Sequence, residues 1–197
     1  MSWITIIITF ALVDNVILSR LLGVHPAAST SGTMKAAAGI GGFMAVLMAG
    51  SAVAAWAVDS LVLVPAGFTI LRTPAFLFMV VALSAAIRVL CARLLPSLLP
   101  STGASIPEIG INTAALGLVL ITTHGEYAAL ESLVAGLAAG AGYFIVTAMM
   151  TAIRERLDVE PVPSALKGFP LQLITAGLMA YAFMAFDRAF LSRILGW

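Results

Sequence analysis

The chain has 197 residues, 61% of them hydrophobic and only 10% charged, with a mean hydropathy of +1.10. Soluble domains carry about 25% charged residues, so an ordinary soluble protein is excluded and a polytopic membrane protein, with the lipid bilayer as solvent, is expected. The net charge of +1 and the lack of any Lys/Arg run leave phosphates nothing to bind, which excludes nucleic acid as a partner.

A bilayer span needs roughly 17–25 apolar residues. Six candidate segments follow along the chain: residues 3–24, 36–58, 74–95, 106–123, 130–153 and 170–188. The first is apolar from Trp3 and lacks a basic leader or a small-residue cleavage site before Ser19-Arg20, so it reads as a retained span rather than a signal peptide. It carries Asp14 and Asn15 about eleven residues in, near the midplane for a rise of about 1.5 Å per residue. The second is lined with small residues, Ala36 to Gly42 and Ala45, and the third holds Arg88 and Cys91. The fourth is short, opens with Pro107-Glu108-Ile109-Gly110 and carries Asn112-Thr113. In the fifth, Gly136 and Gly140 form a small-xxx-small pair that lets helix backbones approach closely. All nine prolines fall at or near the borders of these segments, as residues without a backbone N–H should.

The first and fourth segments are the weakest helices and read as half-helices with unwound ends, which are tolerated only inside protein. Asn15 and Asn112 lie 97 residues apart, and so do Gly39 and Gly136. This spacing points to a duplicated half-protein, with half-repeats at about 1–95 and 100–197 in one polytopic domain. The expected fold is therefore an all-α integral membrane protein of six transmembrane helices, arranged as an inverted three-plus-three repeat. Arg20, Lys35, Arg88, Arg93, Arg154, Arg156 and Lys167 fall on one side, against Arg72, Arg188 and Arg193 on the other. The excess of positive charge marks the cytoplasmic side and places both termini outside.

Asp14 is the only carboxylate expected so deep, and it would be neutral unless paired, coordinated or hydrated. It reads either as an ion or proton site, or a polar lining for a cofactor, or as part of a buried contact with Asn112 or a partner subunit. His25, in Gly23-Val24-His25-Pro26, is a candidate metal ligand through its neutral imidazole or an ordinary interfacial residue. Cys91 is the single cysteine, so no intrachain disulfide forms, and one thiol cannot hold an iron–sulfur cluster, which normally takes four ligands. Arg154-Glu155-Arg156-Leu157 reads as a cytoplasmic anchor or a docking surface for a peripheral subunit. No P-loop, dinucleotide fingerprint, nucleophile elbow or zinc helix is present, and no catalytic residue is assigned.

The stretch Ala152-Ile153-Arg154-Glu155-Arg156-Leu157, then Val162-Pro163, Lys167-Gly168 and Leu173-Ile174-Thr175-Ala176-Gly177-Leu178-Met179-Ala180, closely resembles the A-type membrane protein of Rnf electron-transport complexes. The E-type protein of the sodium-translocating NADH:quinone reductase belongs to the same family. The likeness continues at Leu71-Arg72-Thr73, at Asn112 before Leu116-Gly117, and at Asn15-Val16-Ile17-Leu18 before Leu22-Gly23. It implies a six-helix subunit of the bacterial inner membrane with inverted half-repeats and outside termini. It further implies a homologous, oppositely oriented membrane partner, other Rnf-type subunits, and a 2Fe-2S cluster shared at mid-membrane. Such a protein belongs to a translocase that couples electron transfer to movement of sodium ions or protons, and is not catalytic alone.

The chain departs from the family at the cluster positions. The family's Leu-Gly-x-Cys-Pro turn reads Leu22-Gly23-Val24-His25-Pro26 here, and its second cysteine, after the fourth-span asparagine, is Thr113. An asparagine before Asn15 is replaced by Asp14. Histidine can replace thiolate, as in Rieske centres, whereas a hydroxyl is hard and poorly acidic where iron–sulfur iron takes thiolate. Two alternatives to the redox translocase are a non-redox ion or small-solute transporter on the same scaffold, using the oxygen-rich set Asp14, Asn15, Asn112 and Thr113 with His25 as a further candidate, and a structural partner subunit.

Overall fold

The computed structural model describes residues 2–23, 34–94 and 113–184, and every regular element among them is helical. Helix α1 (Trp3–Ile8) starts at Ser2, whose hydroxyl accepts from the Thr5 N–H at 3.3 Å. It widens into a π-helical turn over Thr9–Val13, closed by the Asp14 N–H on the Thr9 carbonyl at 2.7 Å. The helix then stops, eleven residues short of the expected end of the first span. Helix α2 (Met34–Val58) also ends in a π-helical turn, Asp59–Leu63, and a short 3-10 turn, Thr69–Leu71, leads into α3 (Arg72–Leu94). Helix α4 (Thr113–His124), the long α5 (Ala129–Leu157) and α6 (Phe169–Phe183) complete the described helices. Three stretches, Ala37–Leu63, Thr69–Cys91 and Ala129–Leu157, are long and apolar enough to cross a membrane. They contain the expected fifth span, all but the first residue of the second and most of the third. The other three apolar helices are shorter.

Helices α2 and α5 form the principal contact of the bundle. A Cβ on Gly136 would lie 2.5 Å from the Ala49 Cα, and one on Gly140 would collide with Ala45. Two glycines four residues apart thus face two alanines four residues apart, and the backbones touch. In lipid no hydrophobic gain draws apolar helices together, so this close van der Waals fit carries the association. Helix α4 packs on α2, while α1 and its π-turn pack on α5. Helix α3 covers α2 and α4, and α6 lies on α5. Met44, Leu47, Met48, Leu118, Val119 and Val146 are buried between them, whereas Phe78 and Leu178 point outward, as side chains facing lipid do.

Two buried threonines of α5 bond back along their own helix, Thr147 to the Tyr143 carbonyl at 2.8 Å and Thr151 to the Thr147 carbonyl at 2.9 Å. The buried Oγ of Ser51, by contrast, has no partner among the described residues. Where α2 gives way to α3, Arg72 grips Asp59 with two parallel bonds, Nε to Oδ1 at 2.6 Å and Nη2 to Oδ2 at 2.8 Å. The fork-to-carboxylate geometry fixes direction as well as charge, and it ties the two ends of the connection together.

Candidate functional site

The site is built around the place where the first helix breaks. Ending a helix inside an apolar environment frees carbonyls and N–H groups that lipid cannot satisfy. Asn15, only 1% exposed, supplies both missing partners. Its Nδ2 donates back to the Ala11 carbonyl at 3.1 Å, and its Oδ1 accepts from the N–H groups of Ile17 at 3.1 Å and Leu18 at 3.4 Å. An amide has a donor and an acceptor at the same side-chain tip, which a carboxylate lacks. The Asn15 carbonyl accepts in turn from Ser19, through N at 2.8 Å and Oγ at 2.6 Å. Past Ser19 the chain turns through Leu21 and Gly23, both with positive φ (54° and 72°).

The loop Asn15–Gly23 lies against the second half of the chain. A Cβ on Gly142 of α5 would fall 2.7 Å from both the Ala11 carbonyl and Asn15 Nδ2, and one on Gly117 of α4 would strike Leu22. Thr113, the first residue of α4, accepts from the Gly23 N–H at 3.0 Å, and the buried Tyr143 hydroxyl donates to the Gly23 carbonyl at 3.2 Å. Phe10 meets Tyr127 edge to face, with ring centroids 5.8 Å apart. Asp14 sits half-buried on the other side of the break. It opens on a cleft of about 830 Å³ that the described residues Ser19 and Arg20 line from the loop and Gly177, Ala180 and Tyr181 line from α6.

Of the residues singled out in the sequence, Asp14, Asn15 and Thr113 therefore gather around one loop. His25 and Asn112 lie outside the described residues. Cys91 sits half-buried on α3, and no cluster of three or more His, Cys, Asp or Glu occurs among the described residues. Tyr143 and Gly142 make contacts with the loop that the sequence does not announce. The only sequence signal for them is the glycine-rich run of the fifth span, which announces a close approach but not its target.

Residues 3–189 match the family model described as Rnf-Nqr subunit, membrane protein. The chain belongs to the Rnf-Nqr family. Among relatives, it is 36% identical over 187 residues to the A component of the Na(+)-translocating ferredoxin:NAD(+) oxidoreductase complex of Acetobacterium woodii, covering 95% of this chain and 97% of that one. It is 34% identical over 185 residues to the A components of the ion-translocating oxidoreductase complexes of Yersinia enterocolitica and Serratia proteamaculans, covering 94% of this chain and 96% of each relative. As an Rnf-Nqr family member the chain is a membrane protein, in agreement with its three span-length apolar helices.

Proposed function

We propose that this chain is the A-type membrane component of an Rnf-type complex that couples electron transfer to the movement of sodium ions or protons across the bacterial inner membrane. The observation that carries this reading is likeness along nearly the whole chain, loops included, to proteins named for ion-translocating oxidoreductases. On this reading the chain forms six spans in an inverted three-plus-three repeat. The reciprocal packing supports it: the first helix of the first half lies on the middle helix of the second, and α4 lies on the middle helix of the first. The broken α1 and the short α4 are then the two half-helices, with both termini outside and Arg154, Arg156 and Lys167 in the cytoplasm. The partners are a homologous, oppositely oriented membrane protein and the remaining Rnf-type subunits.

The ion path, on this reading, passes Asp14. It is the carboxylate at the helix break and it lines the cleft, beside Ser19 and Arg20. Hard cations and protons suit such oxygen donors. Asn15 shapes the break rather than coordinating, because its amide serves the backbone on both sides.

The 2Fe-2S cluster that the family resemblance implies does not fit the donor set of this chain. Thr113 offers a hydroxyl that already accepts a backbone N–H, His25 offers one imidazole, and the one thiol, Cys91, belongs to α3. No electron step is assigned through such a cluster here.

The test is to isolate the chain from its native membrane with whatever co-purifies, reconstitute it in vesicles, and supply reduced ferredoxin with NAD+, the couple in the Acetobacterium woodii relative's name. Electron-driven ion uptake that disappears when this chain is omitted is expected. Uptake without any electron donor would favour the non-redox transporter, and uptake indifferent to this chain would overturn the proposal.

A further inference from the structure

We infer that Thr113 and Tyr143 act as a two-sided clasp on Gly23, so that protein hydrogen bonds alone set the loop beside Asp14. The Gly23 N–H is held by the first residue of α4 and its carbonyl by the middle of α5, at 3.0 and 3.2 Å. Gly23 is buried, and its φ of 72° is one that a side chain would strain. Both of its backbone groups would otherwise be unpaired in an apolar interior, a costly condition. Leu22, next to it, fills the space left by the missing side chain of Gly117.

The stretch Asn15–Gly23 is thereby held at two points, by the Asn15 amide where it leaves the helix and by the clasp at Gly23. Ser19 and Arg20 stand between these anchors and border the Asp14 cleft. Thr113 and Tyr143 are thus positioning residues for that cleft, although neither is among the residues described as lining it. The chemistry of Thr113 suits this task. A hydroxyl is a good acceptor for an N–H, whereas sulfur is a weak one, and a hydroxyl is a poor ligand for iron. Threonine at this position therefore favours the clasp and disfavours ligation. The contrast with a ligand set rests on the family reading above, while the clasp itself rests on the two hydrogen bonds.

Substitutions at Thr113 separate the two roles, because serine keeps the acceptor and cysteine exchanges it for a thiolate ligand. Amide hydrogen exchange of the peptide ending at Gly23 is measured in the lipid-reconstituted complex, with and without an iron chelator. Exchange in Thr113→Ser should match the wild type. In Thr113→Ala and Thr113→Cys it should rise by about tenfold or more, as expected when a buried donor loses its partner. Tyr143→Phe should raise exchange in the same peptide, and the chelator should leave the wild type unchanged. Protection in Thr113→Cys equal to that in Thr113→Ser would overturn the clasp, and so would opening of the wild-type loop by the chelator. An unchanged Thr113→Ala would do the same. A complex without electron-driven ion uptake would refute the proposed function but would leave this exchange pattern in place.

Discussion

The crossing of α2 and α5 and the loop Asn15–Gly23 solve the same problem in opposite ways. At the crossing, Gly136 and Gly140 meet Ala49 and Ala45 backbone to backbone, and every main-chain group is satisfied within its own helix. In the loop the helix has ended, and side chains drawn from three parts of the chain make good the lost bonds: Asn15, Thr113 and Tyr143. The first region is a frame held by shape, and the second is a polar interruption held by specific hydrogen bonds. A membrane protein can carry the second kind only where the first surrounds it. Gly142 shows the junction: two residues past Gly140, it lies on the opposite side of α5, so the helix that packs on α2 through one face admits the Asn15 amide on the other.

Substitutions that spoil shape in the frame should do the most damage. Gly140→Leu would drive a large side chain into the Ala45 backbone, and overpacking costs about 1–3 kcal/mol or more where backbones must shift. Loss of folded, monodisperse protein in detergent chromatography is the expected result. Next comes Asn15→Leu, similar in size but without the amide. It leaves the Ala11 carbonyl and two N–H groups unpaired, at about 1–3 kcal/mol for each buried group. A lowered thermal midpoint with the α2–α5 contact intact, read by a disulfide cross-link engineered across it, would sharpen the contrast between the two regions. Asn15→Asp should be no milder, because it keeps the acceptor but sets a buried carboxylate oxygen against the Ala11 carbonyl.

The ion pair at the other end of α2 should matter less. Asp59 and Arg72 are 14% and 28% exposed, so solvent and headgroups screen them in part. Asp59→Asn should cost about 1 kcal/mol, visible as a small shift in the thermal midpoint that shrinks further at high salt. The smallest effect belongs to Ser51→Ala. Removing a buried hydroxyl without a partner should be neutral or slightly stabilising, within about 0.5 kcal/mol in the same assay. A large loss there would mean that the frame depends on a polar contact after all.

The frame is far easier to read from the sequence than the loop. Length and apolarity locate the three span-length helices among the described residues, and the spacing of Gly136 and Gly140 announces the close crossing, because both signals are local along one helix. The break at Asp14-Asn15 is legible too, since a carboxylate and an amide at membrane depth are conspicuous. The role of Asn15 is not. The sequence offers a polar residue at membrane depth, and the structure adds the partners of its amide, the backbone at Ala11, Ile17 and Leu18. Tyr143 is invisible in the sequence because its partner is 120 residues away. The π-helical ends of α1 and α2 depend on packing, and no residue pattern announces them.

Electron transfer and ion movement belong, on this reading, to one complex, with the ion beside Asp14. The most direct test is to follow both fluxes in vesicles that carry the reconstituted complex with Asp14→Leu, a change of similar size that removes both side-chain oxygens, whereas Asp14→Asn only restores the asparagine of the family pattern. Ion uptake should fall by about tenfold or more, as expected when a charged partner in a poorly solvated site is lost. Electron transfer in uncoupled membranes should persist and the complex should remain assembled. Ion uptake equal to wild type would contradict the account.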